Sequence, residues 1–151
     1  MLVLMCSVGP DRLALSVSNV IEVIPRVALQ RPSDAPGRLA GHFVYRGVPI
    51  PVVSLQPQST QSGNRLSNRI IVVEVPVDSR REAVGLLVEG ATTQQLADSD
   101  VATAMREGRL RSQWGTILLD AAGMFHLVDL ETILPPELLA TLFPPVEESL
   151  R

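Results

Sequence analysis

Short runs rich in Val, Leu and Ile recur along this chain, and Gly, Pro, Asp or Asn breaks them roughly every eight to twelve residues. Runs of that length suit strands, because β-branched side chains lose rotamer freedom in a helix and fit a pleated surface well. In "RLALSV", Leu13, Leu15 and Val17 alternate, the period-two pattern of a strand with one buried face. "RIIVVEV", residues 69–75, is apolar for most of its length and reads as a strand buried on both faces. About nine or ten such segments with few helices predict a mainly β chain built as small barrels, not an α/β enzyme.

The punctuation orders these strands. "GPD" at 9–11 turns "LVLMCSV" (2–8) back onto 12–17 as a hairpin, with Gly9 free to adopt an unusual φ. A strand through "VIEVIP" ends at Pro25, and residues 30–41 form an irregular loop. "HFVYRGVPIPVVSL" reads as two strands joined by a tight turn at Arg46–Gly47. Pro49 and Pro51 lack the N–H a ladder needs, so they belong at an edge or a bulge. Residues 56–64, "QPQSTQSGN", form a polar link and a hinge between lobes. A second meander follows through 69–75 and 83–91. One or two helical turns are expected between Asp98 and Gly108, capped by Ser99 or Asp100. "WGTILLD" and "MFHLVDLETIL" make a further hairpin around "AAG". "PPELLATLF" closes the fold as a short helix, with Leu138, Leu139, Leu142 and Phe143 on its apolar face.

Composition removes several function classes. The chain carries a net charge of −3, and its basic residues are all arginine and dispersed, which disfavours a phosphate backbone as partner. Arg106, Arg109 and Arg111 are the densest group and read as a solvated loop. Without lysine there is no Schiff-base chemistry and no phosphate-binding P-loop. Cys6 stands alone, so it can make no intrachain disulfide and reads as a small hydrophobe. His42 and His126 lie within strands without the neighbouring ligands a metal requires, and no serine occupies a nucleophile elbow. The start "MLVLMCS" lacks the basic region of a leader, and no apolar run reaches the roughly 18 residues of a membrane helix. A soluble cytoplasmic protein is expected.

An ordered set of segments resembles the CheW-like coupling domain of bacterial chemosensory systems. "LALSVSNVIEVI" is similar to that family's opening strand and its Glu-Val-Ile. "RPSDAPGRLAGHFVYRGVPIPVVSL" resembles its Pro-x-x-Pro, Gly, Arg-Gly and Pro-Val-Val-Asp-Leu succession. "RIIVVEV", "VGLLVEGA" and "MFHLVDLETIL" resemble its later strands and leucine-rich exit, so the likeness covers most of residues 2–143. Two positions depart from the pattern: Ser54 and Glu89 stand where the family usually has Asp. The tyrosine before Arg-Gly and "VEGAT" are more similar to couplers of surface-sensing or pilus-type pathways.

The resemblance implies two SH3-like five-stranded barrel lobes around a shared hydrophobic core, with a short C-terminal helix. Residues 1–143 would form a single domain. Its first lobe would span roughly 12–58 with parts of 124–143, its second roughly 1–8 and 66–122, and 144–151 would be a polar tail. It further implies no catalysis and no cofactor. The implied role is a bridge between the regulatory domain of a CheA-type histidine kinase and the helical cytoplasmic tip of a methyl-accepting chemoreceptor. Val20, Glu22, Arg46, Gly85, Ala91 and Gln94 match positions at the receptor groove; Gly41 and Gly47 match positions tied to kinase coupling. Glu22 and Arg46 are expected to form a half-buried ion pair across adjacent strands. For each groove position ordinary packing is the competing explanation, and Trp114 is either a core cap or an exposed anchor. A different class also stands open: a small β-barrel ligand-binding or enzyme-like domain in which Arg46 holds an anionic ligand inside an enclosed polar pocket. A third is a kinase-regulatory domain that makes no receptor contact.

Overall fold

The computed structural model describes residues 1–33, 37–55, 68–97, 106 and 110–145. The expected hinge at 56–64 lies outside the described residues, as does nearly all of the expected helical segment at 98–108. So does most of the tail at 144–151. Nine strands are present among the described residues: β1 Leu2–Val8, β2 Asp11–Ser16, β3 Val20–Pro25, β4 Leu39–Tyr45 and β5 Val48–Ser54. They continue as β6 Asn68–Val77, β7 Arg80–Gln95, β8 Gly115–Asp120 and β9 Gly123–Val128. A 3-10 turn spans Val17–Asn19, and two short helices follow β9, here α1 Leu130–Ile133 and α2 Pro136–Leu142. Asp129 caps α1 by accepting from the Glu131 N–H, and Pro136 opens α2 where a missing N–H costs nothing.

Turn chemistry places the hairpins. Gly9 takes φ 57 at the β1–β2 turn. Arg46 and Gly47 take φ 50 and 82, the paired positive values of a type I′ turn, whose twist matches that of the strands it joins. The prolines of β5 behave as expected: Pro49 and Pro51 face β4 on one side, and only Val52–Ser54 pair with β7 on the other. Thus β5 is an edge strand where it carries proline and a central strand where it does not.

The strand order is β3-β6-β7-β1-β2-β9-β8, with β5 also on β7 and β4 on β5. This order builds two SH3-like lobes that share β7. β3, β4, β5, β6 and the first part of β7 form one lobe; β1, β2, β8, β9 and the end of β7 form the other. Among the described residues the ladders do not close into rings. The first lobe comes nearest, where Gln30 and His42 exchange backbone hydrogen bonds of 2.9 and 2.7 Å beside β4. β7 changes lobes at Gly90, φ 62, where its register on β1 slips between Met5 and Ser7. A bulge there lets one strand bend from one sheet into the other. The pairing divides the chain differently from the boundaries expected above. The 12–16 strand stands beside 2–8, and 68–77 stands beside 20–25.

Three apolar clusters follow from period-two geometry. On β6, Ile70 and Val72 point into the first lobe with Ile50 and Val52. Ile71, Val73, Val75 and Val77 point to the core shared between the lobes. On β1, Val3 and Met5 enter the second lobe with Phe125 and Leu127, whereas Leu4, Cys6 and Val8 join the shared core. Trp114, Leu134 and Leu139 cover that shared core from the C-terminal side. Trp114 is buried, and its indole N–H donates to Asp11 at 2.9 Å; it is a core cap and not an exposed anchor.

Candidate functional site

The turn at Arg46–Gly47 carries the first candidate cluster. Its left-handed backbone holds Arg46 at the tip of the β4–β5 hairpin, where the guanidinium donates to Glu22 Oε1 at 2.9 Å and lies 5.1 Å from the Tyr45 ring centroid. The Tyr45 hydroxyl donates to the same carboxylate oxygen at 2.7 Å. Burial and then the Glu22 hydrogen bond hold the Tyr45 phenol above its ordinary range. The expected ion pair is therefore present, with two corrections. Its side chains are 68% and 40% exposed, so it is not half-buried. Nor does it join adjacent strands: β3 pairs with β6, and β4 pairs with β5. The long arginine arm, and not a ladder, reaches Glu22. Tyr45 is the member that residue-level reading missed; a tyrosine one place before an Arg-Gly turn was the available signal.

The other singled-out residues scatter. Val20 opens β3, pairs with Val73 and packs partly buried against the shared core. Ala91 packs against the same core just past the Gly90 bulge, and Gln94 sits near the end of β7 opposite Val3. Gly85 is buried within the first lobe, where an added Cβ would lie 2.8 Å from Ile70 Cγ2 and 3.0 Å from Val52 Cγ2. That crowding accounts for the glycine by packing alone. Gly41 is buried as well; a Cβ there would come within 2.9 Å of both Leu29 Cβ and the Gln30 carbonyl, so it lets the loop strand close on β4. Gly47 has open space around it and answers only to the turn's φ. Ser54 is buried, and its backbone N–H donates to the Arg38 carbonyl at 2.9 Å.

Two polar groups lie away from this cluster. Arg12 makes a two-pronged ion pair with Asp120, at 3.0 and 2.7 Å, while its guanidinium lies 5.8 Å from the Phe125 ring centroid. The Arg12 hydrogen bonds hold the Asp120 carboxyl down at about 2. His126 Nδ1 is 2.7 Å from Ser112 Oγ, and its Nε2 is 3.8 Å from Asp11 Oδ1. The Ser112 oxygen also takes the Trp114 N–H at 3.1 Å, so this serine ties down a loop and is not poised as a nucleophile. Among the described residues no three His, Cys, Asp or Glu side chains converge as a metal site.

Between the lobes an open cleft of about 490 Å³ is lined by Asn19, Glu74, Val75 and Arg81 on one side and by Leu130, Glu131 and Leu139 among others opposite. It does not include Arg46, whose guanidinium is engaged by a carboxylate of its own chain. Among the described residues, the exposed Arg46, bonded to Glu22, gives no support to an enclosed anion pocket.

The comparisons decide the family. A model of the CheW-like domain matches residues 2–137. The chain belongs to the CheW-like family. CheW-like proteins are non-enzymatic scaffolds of chemosensory signal transduction, and the fold agrees. The scaffolding protein TtCheW from Thermoanaerobacter tengcongensis is similar in structure, with a TM-score of 0.67 at 19% identity over 85% of this chain and 84% of that one. No curated protein is significantly similar in sequence.

Proposed function

We propose that this CheW-like protein couples a chemoreceptor to its kinase, holding the helical cytoplasmic tip of a methyl-accepting receptor beside the regulatory domain of a CheA-type histidine kinase. The observation that supports the reading is the Glu22–Tyr45–Arg46 cluster, whose ion pair reaches solvent and whose Glu22 shares β3 with the partly buried Val20. An exposed ion pair of this kind adds little stability, so its worth lies in what it presents to a partner. Val20, Glu22, Arg46, Ala91 and Gln94 would form the receptor side. Gly41 and Gly47 would serve the kinase side indirectly, by shaping the β4–β5 hairpin. Gly85, enclosed in the first lobe, would act through packing. The site of action would be the cytoplasm, at receptor arrays; no helix among the described residues is long and apolar enough to cross a membrane.

The test is a pull-down with a receptor cytoplasmic fragment and, separately, the kinase regulatory domain. Val20→Arg is expected to abolish receptor capture and leave kinase capture intact, the latter also reporting a folded protein. Should Val20→Arg lose both, Gln94→Arg, at a partly exposed strand end, repeats the test. Unchanged receptor capture by the folded variants would favour a kinase-regulatory domain with no receptor contact.

A further inference from the structure

His126 is tied at two points to the residue that caps the shared core. It sits on β9 between Leu13 of β2 and Ile117 of β8, with its side chain 15% exposed. Nδ1 lies 2.7 Å from Ser112 Oγ, and Nε2 lies 3.8 Å from Asp11 Oδ1. The same two partners hold Trp114. Ser112 Oγ accepts its backbone N–H at 3.1 Å, and Asp11 Oδ2 accepts its indole N–H at 2.9 Å. The Trp114 carbonyl in turn accepts from the Asp129 N–H at 3.0 Å, and Asp129 caps α1. One imidazole thus reaches, through one tryptophan, the start of a helix. The other charges nearby are engaged elsewhere. Arg12 of β2 pairs with Asp120 of β8 beside Phe125, on the opposite face of β9 from His126. Arg111 faces Asp129 at 3.5 Å, and Cys6 of β1, opposite Leu13, keeps its proton because burial pushes the thiol up to about 12. Among the described residues Asp11 is the charge that meets the ring.

We infer that His126 is a proton-operated switch that resets the hydrogen bonds of the Trp114 cap and, through them, the start of α1. A serine hydroxyl has one proton to give and two lone pairs to receive with. While the imidazole is neutral, with its proton on Nε2, the Ser112 hydroxyl donates to Nδ1. Once the ring takes a second proton from solvent, Nδ1–H donates to Ser112 Oγ instead, and the hydroxyl proton turns to the Gly115 carbonyl, 3.5 Å away. The ring is then a cation 3.8 Å from the Asp11 carboxylate, and Coulomb attraction draws the two together. Asp11 holds the indole through its other oxygen, so the pull reaches Trp114 directly. Histidine is the side chain whose ordinary charge change falls between about pH 5 and 8, a range that cells visit. The device uses none of the receptor-side residues, so it stands or fails apart from them.

The experiment follows Trp114, the chain's single tryptophan, in the full chain between about pH 8 and 5. Wild-type indole emission is expected to change in a one-proton step that tracks the His126 imidazole by NMR. The Trp114 indole N–H and the Glu131 amide, which donates to the Asp129 carboxylate, should shift with the same midpoint. His126→Gln keeps a donor and an acceptor but gains no charge, so it should lose the step, whereas His42→Gln should keep it. A charge also perturbs a nearby indole through space, and Ser112→Ala separates that field from the relay. In this variant the ring still titrates, but the Glu131 shift should lose most of its amplitude. If His126→Gln does not fold, the wild-type resonances and Ser112→Ala decide the matter alone. A step that survives in His126→Gln, or a Glu131 shift undiminished in Ser112→Ala, would overturn the switch. So would an imidazole that titrates while the indole and Glu131 resonances stay still, or one that does not titrate in this range.

Discussion

Glu22 accepts from two donors, which converge on one carboxylate oxygen. Tyr45 approaches from the end of β4 and Arg46 from the turn itself, both on Oε1. Reversing one charge leaves two like charges facing each other between β3 and the β4–β5 turn, which drives the two side chains apart; reversing both restores their attraction. Glu22→Arg and Arg46→Glu are each expected to lose receptor capture, and the double variant to regain a substantial part of it. A double variant no better than the worse single one would reject the pair. Because both side chains stand in solvent, each single change should cost less than about 1 kcal/mol in urea unfolding. A cost near 3 kcal/mol is what a buried pair would give.

Elements meet at a second ion pair. Arg12 on β2 grips Asp120, which also accepts from the Ala122 N–H in the β8–β9 turn. One carboxylate thereby joins a turn to a strand more than a hundred residues earlier. Since Asp120 is held down to about 2, its contribution is complete above the unfolded carboxylate range near 4 and is lost as pH falls toward 2. Stability measured between about pH 5 and 2 should therefore fall less steeply in Asp120→Asn than in the wild type. Identical slopes would mean that Asp120 is not held low. At this scale much was legible beforehand. The hairpins at 9–11 and 46–47, the edge prolines of β5 and the helix opened by Pro136 follow from local backbone rules that need no partner strand. β7 extends past the expected 83–91 to Arg80–Gln95, because pairing with β1 prolongs a strand whose "TTQQ" end has no hydrophobic alternation of its own.

Across the whole molecule, the shared core unites the lobes. Cys6 lies inside it, and burial pushes its thiol up to about 12. The folded state therefore favours the protonated thiol, and stability should decline as pH rises from the unfolded range near 8.5 toward 12. At pH 8 a thiol reagent should label Cys6 only at the rate of global unfolding, reaching full speed in denaturant. Rapid labelling of the native protein would show that the lobes part without unfolding.

The order and type of most strands, their turns and the family were set by the chain's own residues, because side-chain alternation and φ preferences act over two to seven neighbours. Their division between lobes was not. β2 joins β1 and β9, and β6 joins β3, through contacts between distant segments that period-two patterns do not record. The same holds for exposure: Glu22 and Arg46 could be named as a pair, but only the assembled sheets left them reaching solvent, enclosed Gly85 and opened the cleft beside α1. Burial is a property of what surrounds a residue, and that is decided by the folded whole.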